Sequence, residues 1–280
     1  MNINKYSLIT KKYSNTFYYS TLIFPKEVRD KVFVLYSFVR TIDNLMDSKK
    51  PDIAKFNDLR SSFEKAWKGE PVNNKLVVDF VSVAKSNNFS KKWIDDFFDA
   101  QILSAKKKTY NDFDDLKKNI YGVAGVIGLF MSKIIGLPKK VYKNAVLLGE
   151  SMQIINCMRD IVEDYKMGRI YIPVEDLEKF GLSVDNFLNK KNRNKLKEVI
   201  NFQLQRAFKF GEKASLSFSY FDKRNLLAVK TSFDLYCFIG KKILKDPEII
   251  FQRKKIKPGL LFILLTFFKN FFNIYFLGRK

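Results

Sequence analysis

Two segments place carboxylates at a spacing that can do chemistry. In the run from Tyr36 to Asp47, the polar residues Tyr36, Arg40, Asp43 and Asp47 fall at i, i+4, i+7 and i+11. In the run from Gln153 to Asp164, the residues Gln153, Asn156, Asp160 and Asp164 fall at i, i+3, i+7 and i+11. On a helix of about 3.6 residues per turn, each set makes one polar stripe along an otherwise largely apolar surface. Each stripe presents two carboxylates one turn apart, a spacing suited to gripping a divalent cation. Arg40 and Arg159 stand beside them. Cations and arginines together can hold a diphosphate and neutralise the charge that builds as its carbon–oxygen bond breaks, with no nucleophilic side chain.

The elements that must position these stripes are helices. Proline costs about 3 kcal/mol inside a helix, and the seven prolines leave residues 26–50, 72–137 and 174–246 free of it. Val32, Leu35, Val39, Ile42 and Met46 recur at helical spacing, as do Met152, Ile155, Met158 and Val162. Asn-Gly and Asp-Gly hairpin turns are absent. The expected fold is all-α, a single domain with no linker rich in Gly, Ser or Pro and no internal repeat. Its boundary falls near residue 250, leaving 251–280 as a basic, hydrophobic C-terminal segment.

Composition removes several chemistries. With no histidine and only Cys157 and Cys237, histidine triads, histidine metal sites, cysteine-ligated zinc and a disulfide framework are excluded. A metal must be held by oxygen, which favours Mg²⁺, with Mn²⁺ as a substitute. The 51 Lys and Arg exceed the 29 Asp and Glu by 22, which suits a phosphate-bearing partner. The lysines are spread along the whole chain without a nucleic-acid-binding motif, so no nucleic acid partner is expected. The N-terminus has no apolar core of the secretory kind, and few cysteines fit a reducing cytoplasm.

Some features invite other readings. Asp95-Asp96-Phe97-Phe98-Asp99 reads as DDxxD, but it follows Lys91-Lys92 and lacks an Arg, Asn or Gln on its stripe. Ile94, Phe97 and Phe98 are its expected buried side and the acids face solvent. Gly122, Gly125 and Gly128 have the wrong spacing for a dinucleotide fingerprint and follow no strand; close helix packing around a channel accounts for them. No Walker A sequence is present. After Arg253-Lys254-Lys255-Ile256-Lys257-Pro258, the apolar stretch 259–277 is interrupted by Lys269. A membrane span needs about 20 apolar residues, so a helix lying in the membrane interface is expected, with a last core helix and a true span as the alternatives.

Taken together, the two stripes resemble the signatures of the squalene/phytoene synthase family, YxFxRxxDxxxD and QxxNxxRDxxEDxxxGRxYxP. The second runs unbroken from Gln153 to Pro173, including Gly168, Arg169 and Tyr171. Ser14-Asn15-Thr16-Phe17 with Phe24 to Arg29 is similar to the family's N-terminal substrate segment, Tyr121 to Gly128 to its glycine-containing helix, and Tyr236 to a late tyrosine. Residues 10–250 take part, and the runs from Leu22 to Arg29 and from Tyr36 to Asp47 are most like the phytoene synthases. Two positions depart: Asn44 stands where many members have a second adjacent aspartate, and Ser104 where an aspartate precedes the Lys106–Tyr110 run.

The resemblance implies an isoprenoid-synthase-type helical bundle around a central substrate cavity. It implies a Mg²⁺-dependent prenyltransferase that joins two geranylgeranyl diphosphates head to head, through a cyclopropyl diphosphate, to phytoene. No reductant is then expected. Asp43, Asp47, Asn156, Asp160 and Asp164 would hold metal. Ser14, Asn15, Thr16, Tyr36, Arg40, Gln153, Arg159 and Tyr236 would contact diphosphate or steer the cation; Tyr36, Arg40 and the four aspartates would be catalytic. The alternative is a squalene or dehydrosqualene synthase acting on farnesyl diphosphate. The expected location is the cytoplasm, with peripheral contact at the inner face of the membrane.

Overall fold

The computed structural model describes residues 2–252 and 255–278. Arg253 and Lys254 of the basic run lie outside the described residues. The chain forms α1 (Ile3–Tyr13), α2 (Asn15–Ile23), α3 (Lys26–Met46), α4 (Ile53–Lys68), α5 (Lys75–Ser86), α6 (Lys91–Lys106) and α7 (Phe113–Ile120). It continues with α8 (Val126–Ile135), α9 (Tyr142–Lys166), α10 (Val174–Lys179), α11 (Arg193–Ser215), α12 (Lys223–Lys245) and α13 (Leu260–Tyr275). Among the described residues there is no strand beyond one isolated bridge, Tyr110 to Pro173. The expected all-α class is the observed one.

Local chemistry sets the helix ends. All seven prolines fall outside the α-helices, and Pro25, Pro138, Pro173 and Pro258 stand shortly before α3, α9, α10 and α13. Ser14, Asp52, Asn74, Asp112 and Asp222 cap α2, α4, α5, α7 and α12 by accepting backbone N–H bonds. Gly168 adopts φ +77 just beyond α9, a left-handed conformation that turns the chain sharply back. Between α7 and α8, Tyr121–Gly125 forms a π-helical turn. The rod Phe113–Ile135 is long and apolar enough to cross a membrane, yet most of it is buried against α6 and α9.

Two cores flank the centre. One gathers aromatic rings from α3, α4, α5 and α6: Phe38 stacks on Phe80 with centroids 3.7 Å apart, and Phe63 and Phe98 close around them. The other forms where α9 packs on α11 and α12, around Ile155, Met158, Leu204 and Ile239. Burying one such side chain stabilises the fold by about 1.5–3 kcal/mol. The two striped helices, α3 and α9, thus belong to opposite cores, and their polar sides face the space between.

The glycines bring helix backbones into contact. A Cβ on Gly128 would overlap the Ala145 carbonyl, one on Gly149 the Ala124 carbonyl, and one on Gly122 the Ala100 side chain. Helix packing is therefore their role, and Val123, Ala124, Ile127 and Gly128 also line the central cavity.

Candidate active site

A cavity of about 510 Å³ opens between α2, α3, α8, α9 and α12. Its deep wall is apolar or small: Phe24, Val32, Leu35, Ile127, Met131 and Leu148. Its other end is polar, lined by Ser14, Asn15, Thr16, Tyr36, Arg40 and Asp43 from the first part of the chain. Gln153, Asn156, Arg159 and Tyr236 complete that end from α9 and α12. The two motifs therefore meet at one chamber, as their stripes required.

The first motif holds a tense electrostatic arrangement. Asp43 receives a 2.9 Å hydrogen bond from Gln101 Nε2. Burial, reinforced by the Asp47 charge, pushes its pKa up to about 7 against the pull of Arg40 and Gln101. Arg40 lies with its guanidinium carbon 4.7 Å from the Tyr13 ring centroid, and its buried Nε has no hydrogen-bond partner. Burial also raises the Tyr36 hydroxyl well above its usual range. Phe17 sits 5.6 Å from Tyr36 and 5.7 Å from Tyr236, so three aromatic rings adjoin the polar end.

The second motif is asymmetric. Arg159 grips Asp160 through two bonds, Nε to Oδ1 at 2.8 Å and Nη2 to Oδ2 at 2.6 Å. Lys255 adds a 3.1 Å contact to Asp160 and a 3.5 Å contact to Glu163. Burial works to raise Asp160, but Arg159 and Lys255 outweigh it and hold the carboxyl below the usual range. Asp164 goes the other way: burial, then the charges of Asp160 and Asp47, push it up to about 8. Asp164 thus feels the charge of Asp47 from the first motif as well as that of Asp160 on its own helix. Asn156 Nδ2 reaches Gln153 Oε1 at 3.4 Å, while its buried Oδ1 has no partner. Burial raises the Tyr236 hydroxyl, opposed by Arg159 and the Asn156 amide.

Asp47 is the residue that ends α3, and its N–H still donates to the Asp43 carbonyl at 2.7 Å, so it holds the last position of the stripe. Its carboxylate is half exposed and paired with Arg169 Nη1 at 2.9 Å. Among the described residues, no three or more Asp, Glu or Cys side chains are grouped closely enough to hold a metal ion by themselves. Asp43 and Asn156 line the main cavity, and Asp160 lines a smaller adjoining pocket of about 230 Å³. Ion pairs hold Asp47 and Asp160 toward Arg169 and Arg159. Asn44 is exposed, so its departure from the family pattern leaves the chamber untouched. Ser104 is buried and receives a 2.5 Å bond from Asn119 Nδ2.

The tail of the second motif is structural. Gly168 turns Arg169 back so that its buried guanidinium reaches Asp47, the Met46 carbonyl at 2.6 Å and the Ser48 carbonyl at 3.4 Å. One arginine thus ties the end of α3 to the end of α9. Tyr171 stacks on Tyr110 behind it, with centroids 5.9 Å apart. The DDxxD run lies outside the chamber: Asp95, Asp96 and Asp99 pair with Lys91, Lys92 and Arg60, while Ile94, Phe97 and Phe98 are buried.

A family model described as squalene/phytoene synthase matches residues 10–260. The chain belongs to the squalene/phytoene synthase family. It is therefore a prenyltransferase, of a family that uses a divalent metal to ionise prenyl diphosphates. The 15-cis-phytoene synthase of Synechocystis is 27% identical over 266 residues, covering 89% of this chain and 79% of that one. The chloroplastic phytoene synthase 1 of Arabidopsis thaliana is 27% identical over 257 residues, covering 86% and 58%. Among solved structures, a dehydrosqualene synthase in complex with ligand superposes with a TM-score of 0.89 at 25% identity, covering 99% of this chain and 97% of that one. A squalene synthase of Alicyclobacillus acidocaldarius shares the fold at a TM-score of 0.78 and 22% identity, covering 87% and 93%.

The donors of this family member fit a hard divalent cation. They are all oxygen, Asn156 Oδ1 is buried without a partner, and Asp43 and Asp164 are raised first by burial and then by neighbouring carboxylates, both of which added positive charge offsets. Gln101 and Lys255 were not among the sequence candidates. Gln101 lies on α6 and Lys255 in the connection between α12 and α13, each distant in sequence from the motif aspartate it contacts.

Proposed function

We propose that the chain is a phytoene synthase, joining two geranylgeranyl diphosphates to the C40 hydrocarbon. The observation that carries this reading is the single chamber, apolar at depth, whose polar end is built from both motifs. The phytoene synthases among its relatives supply the choice of substrate.

Bound Mg²⁺, held by Asp43, Asp47, Asn156, Asp160 and Asp164, would supply charge to stabilise the departing diphosphate. The first turn of α2 offers the backbone N–H groups of Asn15 and Thr16 to a phosphate, beside the Ser14 hydroxyl, while the Ser14 and Phe17 N–H groups are already bonded to the Thr10 carbonyl and Ser14 Oγ. Arg40 brings its unpartnered Nε, and Gln153 and Arg159 add donors from the opposite wall. One diphosphate leaves with its bonding pair, and the allylic cation is attacked by the double bond of the second substrate. A proton is lost as the cyclopropane ring closes. The second diphosphate then leaves, the ring rearranges and opens, and loss of another proton gives phytoene with no electrons added. Phe17, Tyr36 and Tyr236 present π-faces that favour a passing cation.

The likeness to a dehydrosqualene synthase favours a second reading, the same chemistry on farnesyl diphosphate. Incubation with Mg²⁺ and each prenyl diphosphate, with and without NADPH, followed by identification of the hydrocarbon, separates them. Phytoene from geranylgeranyl diphosphate without NADPH is expected. A C30 product from farnesyl diphosphate alone overturns the substrate and keeps the chemistry. Asp43→Ala or Asp160→Ala should abolish diphosphate release, and full activity in both refutes the roles given to the carboxylates.

A further inference from the structure

α13 is amphipathic in the inverted sense. Against α12 it buries Ile263, Thr266, Asn270 and Ile274. Asn270 is fully buried and donates to Asp234 Oδ2 at 2.8 Å, beside the Lys230–Asp234 ion pair at 3.3 Å. Outward it shows Leu261 (71% exposed), Leu265 (57%), Phe268 (61%), Phe272 (53%) and, just beyond, Phe276 (68%). A helix facing water has the opposite arrangement, with amides out and phenyl rings in. The helix cannot roll to correct this, because rolling would strand Asn270 and Asp234. Its outer rings stack on one another instead, Phe271 on Tyr275 at 4.7 Å and Phe272 on Phe276 at 5.3 Å.

We propose that the outer face of α13 docks on an anionic lipid bilayer. Charge supports this occupant. No Asp or Glu follows Glu248 in the sequence. Lys257 and Lys269 are exposed, and Lys223 Nζ lies 5.4 Å from the Tyr275 ring centroid. Basic residues around an apolar face are what anionic headgroups attract. A symmetric second copy would set the same lysines against each other across the contact. The helix lies on the bilayer and does not cross it: its 16 residues fall short of the roughly 20 a span needs, and one side is fastened to α12. Lys255, Ile256, Lys257 and Pro258 line the cavity immediately before α13. Docking therefore brings the chamber to the lipid surface, where long apolar chains enter or leave without passing through water. This inference is independent of the substrate's chain length.

Flotation of the purified protein with phosphatidylglycerol and with phosphatidylcholine vesicles tests it. Wild type is expected to float with phosphatidylglycerol. The triple substitution Leu261→Glu, Leu265→Glu, Phe272→Glu should reduce the bound fraction at least about tenfold, with unchanged thermal melting and unchanged turnover of detergent-dispersed substrate. Wild type that does not float, or a variant that floats equally well, overturns the proposal. A dimer in solution that the same substitutions dissociate would assign the face to a second copy, also overturning it. Should the triple variant fail to fold, Leu265→Trp keeps the face apolar. The emission of its new indole, read against the Trp67 and Trp93 background, should shift blue on vesicles and be quenched by lipids brominated on their acyl chains. Unquenched emission from vesicle-bound protein refutes bilayer contact by α13.

Discussion

Replacing Glu150 by Gln tests the cost of a carboxylate sealed inside the wall of the chamber. Glu150 sits on α9, is 1% exposed, and has no hydrogen-bond partner at Oε2. Burial pushes its pKa up to about 7 from an ordinary 4.5, the Lys117 charge pulling the other way. A raised carboxyl favours the folded state in acid. Its contribution is fully present below 4.5 and is lost as pH rises through 7. Between pH 5 and 8 a shift of this size removes about 2–3 kcal/mol from the wild type. Glu150→Gln keeps the shape and cannot ionise, so that decline should vanish from its curve. With an unfolding entropy of about 2.1 cal/mol/K per residue, the Tm difference between the two proteins should change by about 4 °C from pH 5 to pH 8. Urea or thermal melts of both proteins at the two pH values read this as a double difference, in which other titrating groups cancel. Parallel curves would refute the claim that Glu150 is carried uncharged in the native protein at low pH.

Arg169→Lys should destabilise the fold by about 2–4 kcal/mol, because an ammonium cannot reproduce the fork that holds Asp47 and two carbonyls; a denaturation midpoint equal to wild type would contradict the tie between α3 and α9. Gln101→Leu removes the donor that orients Asp43 and should weaken apparent Mg²⁺ affinity about tenfold, read from the metal dependence of diphosphate release with melting checked alongside. Burial raises the Cys237 thiol to about 12 and Cys157 well above its usual range, so both should resist thiol reagents at pH 8 until the protein is unfolded. Rapid labelling of the native protein would show that one of these sites opens.

The helical class was legible because proline and apolar spacing act locally, within a turn or two of the residues that carry them. The polar stripes were legible for the same reason, and they predicted that α3 and α9 share a chamber. The details that escaped depend on contacts between distant segments. Gln101 reaches Asp43 across 58 positions, and nothing in its own neighbourhood marks it. Lys255 meets Asp160 only because the chain after α12 folds back over the site. Asp47 continues the stripe by counting, but its pairing with Arg169, 122 positions on, is visible only in the fold. The C-terminal segment read as lipid-seeking from composition alone; which of its faces holds the body depends on Asp234, a partner 36 residues away.

The meeting of α8 and α9, backbone against backbone at Gly128 and Gly149, has an architectural consequence. A wall with no side chain between its two helices has nothing to trim and no room to add. The seam itself cannot widen or narrow, so the room left for hydrocarbon is set by the side chains on either side of it, Ile127 and Met131 on α8, Leu148 on α9, and Val32 and Leu35 across the chamber on α3.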